Sequence, residues 1–314
     1  MNTNPNDLSV LLIFFARPNT LKEVFEQVKK AKPARLFLAC DGPRKDNEQD
    51  IINTQKCKEI VSQVDWDCEV YTLYHQENQG CGMGPYKAIS WAFEHTDKLI
   101  ILEDDCVPAP SFFPYMQELL EKYKDDQRIG LVSGFNHLKE WETGGNSYFF
   151  TKTGATLGWG TWKRVWDNYD FYVKDAQDEY VKRLLLCQFD REYVGKKRIG
   201  DWKKANRETN TKKVDYWDYQ FGFLKYTQSQ FSIVPKTNLI YNIGVGQGST
   251  HTEKNGVEPW KKGKILFMPT QDLNMPLCHP KYIMCDSEYD NKVFKIVYKT
   301  RFQKLINKIK RLFK

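Results

Sequence analysis

Within the first 126 residues, short apolar runs alternate with longer amphipathic segments, and that rhythm leaves few architectures open to the chain. "LSVLLIFFA", "ARLFLACDG", "CEVYTLYH" and "KLIILEDD" read as buried strands by length and composition. "RPNTLKEVFEQVKKA", "DNEQDIINTQKCKEIVSQV", "GPYKAISWAFEH" and "SFFPYMQELLEKYKDD" read as helices. In the first of these, Leu21, Val24, Phe25 and Val28 share one face, with Asn19 or Thr20 as the predicted N-cap. The glycines of "NQGCGMGP" open the third. Strand–helix alternation with such short connections predicts an α/β fold with a Rossmann-like, mostly parallel, doubly wound sheet. Ligands of such sheets bind beyond the carboxyl ends of the strands. Arg17 lies just past the first strand, Asp41 ends the second, and Glu103, Asp104 and Asp105 end the fourth. These are three polar stations along one crevice.

The second half is less regular and rich in Trp, Tyr and Gly, as in "GATLGWGTWKRVWD", "VDYWDYQFGFLKY" and "LIYNIGVGQGSTHT". Most of these aromatics read as core. Gly158-Trp159-Gly160 reads instead as a loop, because flanking glycines make a poor core. With 314 residues, 41% of them hydrophobic, the chain can bury a large core. Its eight cysteines form no C-x-x-C pair, so neither a zinc knuckle nor a redox pair is suggested. The polar start "MNTNPNDLSV" carries no signal peptide, and reduced cysteines in a cytoplasmic protein are expected.

Three acids bunched after an apolar run repel one another unless a cation neutralises them. A hard divalent ion with oxygen ligands, Mn²⁺ or Mg²⁺ shared with a phosphate, is the natural partner. The structural alternative is a solvated turn whose acids cap the helix beginning near Ser111.

At these residues the chain resembles the GT-A glycosyltransferases. "ILEDDCVPAPSFFPYM" resembles the acidic metal motif of the N-acetylglucosaminyltransferase I type, in which E-D-D precedes A-P-x-F-F. "FFARPNTLKE", "LACDGP", "GPYKAISWAF", "LGWGTWKRVW" and "DYWDYQF" resemble that family's other segments in the same order, over roughly residues 10–252. Bacterial family 2 polysaccharide glycosyltransferases share the plan. The polar start differs from the membrane-anchored Golgi members, so their acceptor is not carried over.

The resemblance implies a metal-dependent, inverting transfer from a nucleotide-diphosphate sugar, with a UDP-sugar favoured, to a hydroxyl of a glycan or lipid-linked acceptor. It implies that Asp105 holds the metal. Arg17, Asp41, Gly82, Lys87, Glu103, Asp104 and Trp159 then belong to the donor site, and Asp218 is the general base. Asp215 is the alternative base, and His251 in "GQGSTHT" is either a metal ligand or a surface residue. His75, His95, His137 and His279 read as structural. Residues 1–105 would form the nucleotide-sugar half and 106–290 the acceptor half.

Two other functions compete. A sugar-1-phosphate nucleotidyltransferase needs a glycine-rich loop after the first strand, and "ARPNTLKE" contains no glycine. A non-catalytic nucleotide-sugar-binding module at a membrane would need no base opposite the metal. Nucleic acid is not an expected partner, because the excess positive charge lies at one end.

That end, residues 291–314, holds nine basic residues and no acid. Removing these nine from the 47 bases leaves 38 against 40 acids, a body of −2. Phe294, Val297, Tyr298, Phe302, Leu305, Ile306, Ile309, Leu312 and Phe313 fall at helical spacing. A basic amphipathic helix predicts attachment to an anionic membrane surface on the inner face of the cell membrane. A helix docked on the body is the alternative.

Overall fold

A computed structural model describes residues 7–211, 216–244 and 267–298. Four strands, β1 (Ser9–Phe14), β2 (Arg35–Cys40), β3 (Glu69–Tyr74) and β4 (Lys98–Glu103), alternate with α1 (Pro18–Ala31), α2 (Glu48–Val61) and α3 (Gly80–Ala92). After β4 come the short β5 (Cys106–Pro108) and α4 (Phe112–Lys122). Next are β6 (Ile129–Ser133), β7 (Tyr148–Thr151), β8 (Trp159–Trp162) and α5 (Lys163–Trp166). The chain continues through α6 (Glu179–Leu186), α7 (Glu192–Thr211), α8 (Asp218–Thr227), β9 (Phe231–Pro235) and β10 (Ile240–Asn242). The last described helix is α9 (Ser287–Val297).

The eight-stranded sheet has the order β3-β2-β1-β4-β8-β6-β9-β7. β3, β2, β1 and β4 run parallel, as their crossover helices require. β8 is antiparallel to both β4 and β6, β9 is parallel to β6, and β7 closes the edge antiparallel to β9. This is the GT-A arrangement, a nucleotide-type parallel half continued by a mixed half. β5 and β10 form a separate antiparallel pair directly beyond the acids.

β1 and β4 are buried along most of their length because each has neighbours on both sides. α1 buries Leu21, Val24, Phe25 and Val28, the face predicted from spacing; each such side chain contributes about 1.5–3 kcal/mol. Its cap differs from the prediction. The helix starts at Pro18, Arg17 is the N-cap residue, and Thr20 donates its hydroxyl to the Arg17 carbonyl. Proline at the first position sets φ and needs no donor, so the start moves ahead of Asn19.

The predicted Gly158-Trp159-Gly160 loop is instead the start of β8. Trp159 is 1% exposed and pairs across to Ile101 and Ser133. The glycines serve close packing. Gly158 has φ +55° and a Cβ there would meet Ile240 Cδ1 at 2.3 Å. The boundary expected at 290/291 also falls inside an element: α9 spans it and buries Tyr289, Asp290 and Val293. The remainder of the basic stripe, from residue 299, lies outside the described residues.

Candidate active site

The chain leaves β1 through Ala16, whose φ of +49° is left-handed and costs on the order of 1 kcal/mol for a non-glycine residue. Arg17 follows directly. Its Nη1 donates to Asp105 Oδ2 at 3.0 Å, and its Nη2 donates to Asp104 Oδ1. Asp104 is 1% exposed, and its other oxygen accepts the Phe15 backbone N–H at 3.0 Å. It thus fastens the end of β1 to the end of β4. Removing one partner of such a buried pair costs about 3–5 kcal/mol.

Asp105 is the outward member, with 15% of its side chain exposed. Its Oδ1 receives weak contacts from Cys106 Sγ and Asn242 Nδ2, each at 3.4 Å. Asn242 ends β10, so the β5–β10 pair brings it back over the acids. No local sequence signal marks it. Glu103 is pushed up to about 8, by burial first and then by Asp105 and Asp104; Arg17 opposes the shift. Three carboxylates around one guanidinium leave negative charge without a counter-charge. A divalent cation fits this surplus, and the all-oxygen donors suit a hard ion. Among the described residues no three His, Cys, Asp or Glu side chains converge on one point. The described residues would supply one or two ligands, and phosphate and water would suit other positions, as Mg²⁺ prefers. Asp105 Oδ2, which accepts from Arg17 Nη1, keeps a second lone pair for this.

Asp41 is engaged differently from the expected nucleotide contact. Its Oδ1 accepts the N–H groups of Gly42 at 2.8 Å and Gln79 at 2.7 Å. Its Oδ2 accepts Gly80 N–H and Asn78 Nδ2, both at 3.0 Å. The carboxylate is consumed in tying β2 to the start of α3. Gly42 permits this approach, since a Cβ there would stand 2.5 Å from the Glu77 backbone. Gly82 is buried in α3. Lys87, on the same helix, donates to Gln79 Oε1 at 2.7 Å.

Asp218 is the first residue of α8 and is exposed. Its charge helps raise the Glu103 carboxyl, so the two carboxylates lie near one another. Trp217 sets its position. That ring stacks on Trp159 at 5.5 Å between centroids and 24° between planes, while Tyr169 Oη donates to the Trp217 carbonyl at 2.9 Å. The buried Trp159 therefore acts through Trp217 and presents no face to a donor. Asp215 and His251 lie outside the described residues. His279 accepts from or donates to Tyr148 Oη at 2.9 Å and sits 3.0 Å from Glu118, a structural setting as expected. His137 instead lines a cavity next to Asp218.

An acidic strand end at the carboxyl edge of a mostly parallel α/β sheet is where such folds bind ligands. The model of glycosyl transferase family 2 matches residues 9–168 of this chain, which cover β1 to the end of α5. The chain belongs to glycosyl transferase family 2 and is a glycosyltransferase acting with a nucleotide-sugar donor and a glycan acceptor. No curated protein matches it. Among solved structures it is similar to a UDP-glucose pyrophosphorylase complexed with UDP-glucose, at 9% identity, 74% of this chain and 92% of that one, TM-score 0.37. It is also similar to mouse xyloside xylosyltransferase 1, at 10% identity, 71% and 83% coverage, TM-score 0.33. HddC from Yersinia pseudotuberculosis, complexed with GMP-PN, is similar at 11% identity, 52% and 80% coverage, TM-score 0.30. Likenesses at these scores carry no argument.

Proposed function

We propose that this enzyme is a metal-dependent, inverting glycosyltransferase. It would take a UDP-sugar and extend a lipid-linked glycan in bacterial surface polysaccharide synthesis, at the cytoplasmic face of the membrane. One observation carries the reading: Glu103, Asp104 and Asp105 cluster near Arg17 at the sheet's carboxyl edge, with Asp218 close enough to raise Glu103. The β1–α1 turn contains no glycine, unlike the glycine-rich loop a nucleotidyltransferase needs, and the family match favours sugar transfer.

In this reading Asp105 holds Mn²⁺ or Mg²⁺, which when bound neutralises charge on the departing diphosphate. Arg17 keeps Asp104 and Asp105 in place and adds positive charge beside them. Asp41 shapes the donor crevice from beneath by fixing the start of α3. Asp218 accepts the proton of the attacking hydroxyl at a carboxylate oxygen. A single base facing the donor from the acceptor side inverts the anomeric centre. Residues 1–105 and 106–290 would be the donor and acceptor halves, with α9 belonging to the latter.

The test is a donor panel: purified protein, Mn²⁺ and UDP-, GDP- and dTDP-sugars, with slow hydrolysis and thermal shift measured. A metal-dependent response confined to UDP-sugars is expected. A response without metal would remove the cation, and preference for another nucleotide would remove UDP.

A further inference from the structure

Beside Asp218 lies a cavity of about 300 Å³, walled by the 152–157 loop, α7, α8 and α9. Lys152, Arg198 and Lys225 line it as three basic side chains, Lys152 Nζ donating to the Gln188 carbonyl at 2.6 Å, and Asp218 is the acid among its lining residues. None of the three cations forms an ion pair among the described residues. Arg198 spreads over the rings of Trp202 and Tyr219 at 5.4 and 5.8 Å, and its Nη1 reaches Tyr298 Oη only at 3.5 Å. Lys225 is 4% exposed, bonded to Ser232 Oγ and more weakly to the Lys152 and Thr153 carbonyls at 3.4 Å.

Three polar atoms on this lining are shut off from solvent without a hydrogen-bond partner: Arg198 Nε, Tyr226 Oη and His137 Nδ1. Buried donors left unmade are costly, and native structures hold few of them. Of the further acids, Asp201 accepts from Tyr298 Oη at 2.7 Å, and Asp290 is spent on the loop itself. It accepts Thr151 Oγ1, the N–H groups of Lys152 and Thr153, and Cys285 Sγ. Burial without a carboxylate partner, reinforced by Arg198, pulls the Lys225 ammonium down to about 7. On the other side, Leu157, Phe221, Val293, Phe294 and Val297 make an apolar wall.

We infer that this cavity receives a phosphoryl group carried by the acceptor, held by Arg198, Tyr226 and the Lys225 charge, with an apolar chain along α9. The inference rests on Asp218 marking the acceptor side. A phosphate offers several acceptor oxygens to Arg198 Nε–H and Tyr226 O–H, and its charge answers the unpaired cations. A neutral glycan could accept those hydrogen bonds but would bring no charge to the cations. The wall ends on α9, which leads into the basic segment beginning at residue 299.

Calorimetry decides it, using the full chain saturated with UDP and Mn²⁺ and titrated with farnesyl phosphate, glucose 1-phosphate or farnesol. Wild type is expected to bind farnesyl phosphate and not farnesol. Arg198→Gln and Lys225→Met should each weaken farnesyl phosphate at least tenfold, while Arg198→Lys restores part of the loss. Should either variant be unfolded by thermal melting, Gly222→Ala replaces it, since its Cβ would stand 2.7 Å from Arg198 Nη2 and displace the guanidinium. Equal binding of glucose 1-phosphate supports the phosphoryl site but moves the phosphate from a lipid to a sugar. Wild-type affinity in the variants, or no phosphate ester bound by wild type, overturns the inference. Failure of wild type to bind UDP would instead count against the donor reading, because the Arg198 dependence is read on the phosphate ester itself.

Discussion

Asp105 and Asp218 are both carboxylates at element ends, and the proposed function gives them opposite tasks. Asp105 sits in excess negative charge with an arginine on one oxygen, which suits holding a cation. Asp105→Ala should therefore weaken Mn²⁺-dependent donor binding by at least tenfold without unfolding the protein. Calorimetric titration of nucleotide with and without metal checks this, and unchanged affinity would sink the metal role. Asp218 is exposed beside a cavity large enough for an acceptor. Asp218→Asn should leave donor affinity alone while transfer falls by roughly 10²–10⁴, the usual contribution of a general base. If that variant turns over normally and Asp215→Asn is dead, the base is Asp215.

At the scale of elements, the site depends on two junctions. One is the Asp41 carboxylate, which takes four hydrogen bonds where β2 meets α3. Asp41→Ala leaves the Gln79 and Gly80 amides without their acceptor, at about 1–3 kcal/mol. The expected signature is faster amide exchange at the first turn of α3 and a lowered melting temperature. Exchange unchanged at Gln79 and Gly80 would show that water replaces the carboxylate at no cost. The other junction is the Trp159–Trp217 stack, through which a strand core fixes the start of α8. It couples packing to the direction of the proposed base.

For the whole molecule, buried groups set the response to pH, and the proposed membrane attachment lies with the C-terminal segment. Burial, with Lys225 and Arg198 nearby, lowers His137 from 6.5 to about 4, and Asp290 only partly offsets this. Above pH 6.5 the ring is neutral in both folded and unfolded chains. As pH falls from 6.5 towards 4, the unfolded chain takes up a proton that the folded one refuses, so stability drops by up to about 3 kcal/mol. Denaturant midpoints at pH 4.5 and 7.5 should show this loss, and His137→Phe should flatten it. Among the described residues no helix is long and apolar enough to cross a membrane. Phe294 and Tyr298 pack on the body, Tyr298 Oη donating to Asp201 at 2.7 Å. The segment proposed to meet a bilayer is residues 299–314. It carries seven bases and no acid, each worth about 1 kcal/mol at an anionic surface. Deleting residues 299–314 should abolish co-sedimentation with anionic vesicles and keep donor hydrolysis. Equal binding by both forms would return the tail to docking.

How much of this was legible in the sequence follows the range of the interactions. Local spacing was enough for β1 to β4, for the buried face of α1 and for the acids at a strand end, because strand and helix periods are written in neighbouring residues. The Arg-Pro turn and the E-D-D stretch likewise pointed to GT-A. The fate of Trp159 was not legible: whether flanking glycines make a loop or a tightly packed strand depends on Ile240 and Leu120, far along the chain. Nor was the capture of Asp41 by Gln79 and Gly80, or the docking of α9. The pairing of Arg198 on α7 with Lys225 on α8 around one cavity has no motif at all. Sequence alone determined which elements form and which charges end them. Only the tertiary structure decided which charges are answered and which are left facing a cavity, because that balance is struck between residues many tens of positions apart.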